Sequence, residues 1–230
     1  MWRRWHSTIL LVAVTLSTSA AAWSREDQDP QWKLESDNKE VKLYSRVRPG
    51  SALKEFRAIG IIDAPTRAVH RVINDYEAYP KFMPYTAEVR ILKREEDSIF
   101  AYQRLSPGIV RDRDYTLRVR EKSWTTPAGP VFFSHWQPAN ESGPAERDGV
   151  LRVRLCEGSW LLEPHPAMKT KATYTIYTDS GGSLPRFVAS AASGIGIRKI
   201  FTAIRGQVKN PKYRQTSAGP EKPCSTEGTD

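Results

Sequence analysis

Four histidines are the first side chains to consider for acid–base or metal chemistry, and none carries a visible partner. His6 lies in an apolar leader-like segment, and His165 stands between Pro164 and Pro166 in a turn signal. His135 stands alone, and His70, beside Arg71 on a helical pattern, reads as a surface residue. Cys156 and Cys224 lack the C-x-x-C or Cys/His spacing of a structural zinc site and are too few for a disulfide scaffold. The chain has no G-x-S-x-G, H-E-x-x-H or G-x-x-x-x-G-K-[ST] pattern, so nucleophilic, zinc and P-loop chemistry lack their usual signatures. Arg113-Asp114 reads as an ion pair at the start of a strand rather than as a site. Gln103, in a strand-like run, offers both a donor and an acceptor.

The elements that would position these groups are mostly strands. The chain has 230 residues, 39% of them hydrophobic, enough for one sizeable core; this excludes a fully disordered chain and a polytopic membrane protein. From Trp32 to Asp63 the pattern is β, with Val41, Leu43 and Ser45 on one face. Asp63-Ala64-Pro65 reads as a helix cap, followed by Ala68, Val69, Val72, Ile73 and Tyr76 at helical spacing and by Pro80 and Pro84 at the exit. Strand-like runs follow at 86–93, 98–105, 115–121, 131–136, 150–162 and 171–178. Their alternation sets Tyr115, Leu117 and Val119 against Thr116, Arg118 and Arg120, and Leu151, Val153 and Leu155 against Arg152 and Arg154, one face apolar and the other wet. After the Gly181-Gly182 turn, a long helix from Leu184 carries an apolar stripe through Val188, Ala191, Ile195, Ile197, Phe201, Ile204 and Val208. This order implies an α+β fold, an antiparallel sheet curled around the terminal helix.

The ends are read separately. Arg3 and Arg4 precede an apolar run over 9–16 and the small residues Ala20-Ala21-Ala22, the layout of a signal peptide at 1–22 with the mature chain starting at Trp23. Export to a periplasmic or secreted location follows, with a retained membrane anchor as the rival reading. Losing the two arginines takes the formal charge from +9 to +7. In an oxidising compartment Cys156 and Cys224 either pair or leave Cys156 as a small buried residue. Residues 211–230, rich in Ser, Pro, Gly and Thr, read as a disordered tail after a domain spanning 23–210.

Four segments, in this order, resemble one family: 75–84 (DYEAYPKFMP), Arg113-Asp114-Tyr115, Gly158-Ser159-Trp160 and Gly181-Gly182-Ser183-Leu184-Pro185. They are similar to START domains, the lipid-transfer branch of the helix-grip superfamily that includes Bet v 1-like proteins and polyketide cyclases. The resemblance covers 32–213 and implies a hydrophobic tunnel between sheet and C-terminal helix that holds one lipid, such as a sterol or phospholipid, without metal or organic cofactor. The departure is at the charged pair that some sterol-binding members carry on adjacent strands, where this chain has Gln103 and Val119.

On this basis the candidate ligand-binding residues are Met83, Tyr102, Gln103, Tyr115, Trp160, Tyr174, Phe187, Val188, Ala191 and Ile195, each of which fits an ordinary core role as well. The small residues from Ala189 to Gly196 either leave room for a ligand or let the helix approach the sheet closely. Arg198, Arg205, Lys209 and Lys212 either complement the helix dipole or make transient contact with an anionic membrane. The loops at Pro107-Gly108 and Gly181-Gly182 are the candidate gates. No nucleic-acid partner is expected, and the protein reads as a monomer. The alternatives to a non-catalytic carrier are a cyclase/aromatase-like enzyme acting in the same pocket and a lipid sensor.

Overall fold

The β pattern that opens the chain folds as three antiparallel strands, β1 (Lys33–Asp37), β2 (Val41–Val47) and β3 (Lys54–Ile62). The computed structural model describes residues 32–108, 110–179, 181 and 186–214, with backbone alone at 186–193 and 214. The signal segment 1–22, the chain after 214 and Cys224 therefore lie outside the described residues. Val41, Leu43 and Ser45 share a buried face of β2, as their spacing predicts.

The early helix, α1 (Thr66–Asn74), starts from Pro65 rather than from Asp63. Asp63 turns toward Lys169 instead, at 3.7 Å, and the Thr66 hydroxyl donates to the Pro130 carbonyl at 2.9 Å. A single 3-10 turn at Tyr76–Ala78 and α2 (Tyr79–Phe82) complete the excursion. The chain then returns to strands: β4 (Thr86–Arg94), β5 (Ser98–Leu105), β6 (Arg113–Thr126), β7 (Gly129–Pro138), β8 (Leu151–Arg152), β9 (Leu155–His165) and β10 (Lys169–Asp179). Two helices end the described chain, α3 (Arg186–Gln207) and α4 (Pro211–Arg214).

The strands form one sheet in the order β1-β2-β3-β10-β9-β7-β6-β5-β4, antiparallel throughout, with the short β8 paired in parallel to β6. Strand runs that the sequence pattern placed at 150–162 thus divide in two. His165 is the last residue of β9 rather than a turn residue.

One face of the sheet is the inner one, packed against α1 and α3. Val41, Ala58, Ile62, Val69, Val72, Leu162, Ala172, Phe201 and Ile204 are each 2% exposed or less and form one contiguous core. The chain expected to begin a tail at 211 instead forms α4, whose Tyr213 is buried and donates a hydrogen bond to Asp75 at 2.6 Å, with Lys212 on the same carboxylate.

The face read as wet is not uniformly wet. Asp114 and Arg152 are 1% and 9% exposed and face each other across β6 and β8, Arg152 donating from Nε at 2.7 Å and from Nη2 at 3.1 Å. Arg152 also donates to the Pro144 carbonyl at 3.0 Å, and Tyr102 donates to Asp114 at 3.1 Å. Asp114 therefore pairs with an arginine distant in sequence, whereas the adjacent Arg113 turns back to the Arg111 carbonyl at 2.5 Å. A two-pronged pair of this kind has every charge partnered, and removing one member strands the other in a dry environment. Asp114→Ala is expected to cost roughly 3–5 kcal/mol of stability in denaturant unfolding; a loss below about 1 kcal/mol, the size of an exposed pair, would show that water reaches Arg152.

Candidate functional site

Pleating decides which strand residues reach the interior, since neighbours on a strand point to opposite faces. Gln103 pairs with Tyr115 across β5 and β6, Trp136 with Val119 across β6 and β7, and Trp160 with Tyr174 across β9 and β10. All belong to the inner face. Tyr102, adjacent to Gln103, must face outward, where it lies under the guanidinium groups of Arg90 and Arg147 and holds Asp114. Its expected place in the ligand wall is therefore corrected: it is buried by the outer charge network, not by a cavity.

The other expected wall residues separate into two groups. Trp160 and Tyr174 pack with ring centroids 4.6 Å apart and planes inclined at 45°, and Phe201 of α3 covers Trp160 at 5.4 Å. They form a filled floor. Met83, Gln103 and Tyr115 lie farther along the same face, and there Met83, Tyr115, Leu117, Trp136 and Ile200 all keep accessible surface while packing on the core. Tyr115 is nevertheless so enclosed that burial holds its phenol well above the usual value.

Ile195 is 50% exposed and does not belong to the wall. The inward stripe of α3 runs instead through Gly194, Ile197, Phe201, Ile204 and Val208, a better fit to a 3.6-residue turn. Phe187, Val188 and Ala191 carry side chains outside the described set. Of the small-residue run, Gly194 serves close approach, since an added Cβ would lie 3.1 Å from a Leu43 methyl carbon, whereas Gly196 faces open space.

The polar groups of the inner face form a chain. Tyr115 donates to Gln103 Oε1 at 3.1 Å, and Gln103 Nε2 donates to Thr86 Oγ1 at 2.9 Å. Thr86 is anchored in turn by its N–H, which donates to the Met83 carbonyl at 3.3 Å. The sequence reading missed Thr86, Leu117 and Trp136. Leu117 follows from Tyr115 by period two, but Thr86 precedes an irregularity between Thr86 and Glu88 that disrupts the β4 count.

Other ionisable groups have structural roles. Burial pushes the Cys156 thiol up to about 11, so it is a neutral core atom at ordinary pH. Glu55 is held by Arg46 at 2.6 Å and Arg48 at 2.8 Å on the outer face. His70 is not a plain surface residue: its ring stacks 4.0 Å from Phe132, Asn74 donates to its Nε2 at 2.7 Å, and Glu121 lies 3.6 Å away. Three members of the expected docking cluster are engaged within the protein: Arg198 with Ser36, Arg205 with the carbonyls of Glu40 and Ile61, and Lys212 with Asp75. Gly108 and Gly181 have φ of +81° and +65°, values suited to glycine, and a Cβ on Gly181 would meet Leu151 at 2.6 Å. Among the described residues no cluster of metal-binding side chains occurs, and no helix is long and apolar enough to cross a membrane.

Residues 62–205 match the family described as polyketide cyclase/dehydrase and lipid transport. The chain belongs to this family. An uncharacterised protein of Pseudomonas aeruginosa is 30% identical over 161 residues, covering 70% of this chain and 78% of that protein. Among solved structures, a STAR-related lipid transfer protein from Xanthomonas axonopodis is similar at a TM-score of 0.68 and 25% identity, over 78% of this chain and 99% of its own. Human StAR-related lipid transfer protein 5 shares the fold at a TM-score of 0.68 and 16% identity, over 80% and 89% of the two chains. A Streptomyces aromatase/cyclase, Zhui, shares it at 0.50 and 17%, over 72% and 98%. The START-like helix grip is thus the fold of this family member, a curved antiparallel sheet with a long C-terminal helix.

Within that START-like domain, Gly158 sets the shape of the accessible region. A Cβ there would lie 2.3 Å from the Trp136 ring and 2.4 Å from the Thr175 carbonyl, so the indole lies across bare backbone. Gly158→Ala is expected to cost about 1–3 kcal/mol, the range of overpacking, and to alter the tryptophan fluorescence. Unchanged unfolding and emission would show that Trp136 does not rest there.

Proposed function

We propose that this protein encloses one hydrophobic molecule, a lipid such as a sterol or phospholipid, between the inner sheet face and α3, and carries it chemically unchanged as a monomer. The observation that carries this reading is the gradient of exposure along one continuous face: nearly inaccessible at Val41, Ala58, Ile62 and Ala172, and partly accessible at Met83, Tyr115, Leu117 and Trp136. A lipid burying roughly 300 Å² of apolar surface there gains about 7 kcal/mol before association costs, enough for reversible binding without a charged contact. The family description and the lipid-transfer name of the Xanthomonas structure support the same reading.

Absence of chemistry is part of the proposal. It is supported by the state of the inner-face groups, a phenol and a thiol both held protonated at ordinary pH, neither of which is a general base or nucleophile in that form. Transient contact with an anionic membrane is proposed on the net positive charge, with Lys209 and Lys212 the exposed members of the basic cluster. Export is proposed on the leader-like first 22 residues.

The test is lipid transfer by the mature protein between two vesicle populations, followed by extraction and mass analysis of the cargo. Transfer of unaltered lipid is expected, faster with anionic vesicles at low salt; a chemically changed product would establish catalysis, and indifference to anionic lipid would remove the membrane step. Leu117→Trp is expected to lower uptake about ten-fold, or 1.4 kcal/mol, by occupying the ligand's space while leaving the unfolding midpoint near that of the parent. A variant that binds normally would place the ligand elsewhere. For export, sequencing the N-terminus of protein purified from its host is expected to read from Trp23; retention of Met1 would contradict cleavage.

A further inference from the structure

Building on the enclosure reading, we propose that Thr86, Gln103 and Tyr115 form an uncharged recognition site, selecting lipids with one neutral hydroxyl or carbonyl oxygen and rejecting anionic head groups. The three residues come from adjacent strands, β4, β5 and β6, and converge on the accessible part of the inner face. Gln103 is fixed at both ends of its amide, by the Tyr115 hydroxyl at 3.1 Å and by Thr86 at 2.9 Å. An amide has two N–H donors and two carbonyl lone pairs, so each end retains one after these bonds. A hydroxyl or carbonyl oxygen satisfies that remaining donor, and a hydroxyl also uses the remaining acceptor. An alkane leaves both unmet, at the cost of a buried unsatisfied polar group.

The selectivity against charge comes from what surrounds the amide. Its same-face neighbours across the sheet are Val89 on β4 and Tyr115 on β6, and Ala101 and Leu105 flank it on β5. Most ionic residues of these strands project outward and are paired there: Arg104 with Glu88 at 3.3 Å and with Asp112, Arg118 with Glu95 at 3.3 Å, and Asp114 with Arg152; Glu121, which shares the parity of Tyr115, lies six residues farther along β6 beside His70 at 3.6 Å. Arg113 has the inner-face parity, but its guanidinium donates to the Arg111 carbonyl. A carboxylate or sulfate placed at Gln103 would therefore be desolvated, and the inner-parity cation of β6, Arg113, is committed to the Arg111 carbonyl.

The experiment offers the protein phosphatidylcholine vesicles doped with octadecanol, octadecane or octadecyl sulfate, three probes with one hydrocarbon length and different ends. Cargo is then quantified after re-isolation. Octadecanol is expected to exceed both others by about ten-fold, the equivalent of one buried neutral hydrogen bond. In Gln103→Leu, octadecane uptake is expected to persist and the preference for the alcohol to disappear; Tyr115→Phe, which frees one end of the amide, is expected to reduce the preference several-fold. Equal uptake of alcohol and alkane by the parent protein overturns the recognition site and leaves enclosure standing, as does a preference surviving in both variants. Preferred uptake of the sulfate overturns it as well. Uptake of no lipid at all, neither the three probes nor phosphatidylcholine itself, overturns the enclosure reading and this inference with it.

Discussion

Close approach between α3 and the sheet governs the architecture. The Phe201 ring occupies the space above Gly60, where a Cβ would lie 2.8 Å from it, and Gly194 comes nearly as close to Leu43. An alanine at Gly60 would have to displace the Phe201 ring, whereas one at Gly194 would need the Leu43 methyl to yield by a few tenths of an ångström. Because the helix is held at these points, Ile197, Ile204 and Val208 fall onto the sheet behind Phe201, and Trp160 and Tyr174 fill the space beneath. A glycine inside a helix costs roughly 1 kcal/mol relative to alanine, and the contact at Leu43 offsets that cost at Gly194. At Gly196 nothing comparable is near, and the structure gives no packing reason for it.

A sheet that commits one face to α1 and α3 leaves its other face without a covering layer. This domain covers much of it with its own charged side chains. Arg90 and Arg147 lie over Tyr102, Arg118 over Phe100 and Arg48 over Tyr177, so long arginine stems shield rings that would otherwise face water. The Asp114–Arg152 pair belongs to the same layer and ties β8, and through Pro144 the loop before it, to β6. Its geometry serves the outer layer, and the interior keeps none of that charge.

The sheet, the early helix and the long last helix were legible because each depends on local periodicity, period two in Tyr115, Leu117 and Val119 and a recurrent stripe in Ile197, Phe201, Ile204 and Val208. What was not legible depends on contacts between distant segments. Nothing near Arg152 in sequence says that it is buried, because its partner Asp114 is brought to it by a parallel two-residue strand. Tyr102 and Gln103 both looked like wall residues by type, although adjacency on one strand allows only one of them to face inward. Ile195 failed for a related reason: the stripe continues through a glycine, which apolarity alone does not mark. Thr86 was hidden by the irregularity that follows it in β4.

The division of the inner face into a dense end and an accessible end has an energetic logic. A protein that relied on its ligand space for folding would be unstable whenever the space was empty, since unfilled apolar volume costs about 24 cal/mol per Å³. Here the nearly inaccessible residues, Val41, Ile62, Val69, Leu162, Phe201 and Ile204, all belong to the dense end and do not require a guest. The accessible end adds Leu117, Trp136 and Met83, which gain contacts when apolar surface is laid against them. In the proposed enclosure, folding and binding draw on different residues of one face, and a ligand would add stability only through mass action, by about 2.7 kcal/mol at a hundred times its dissociation constant. For the enclosure proposed above, that separation would let a guest leave without the fold coming apart.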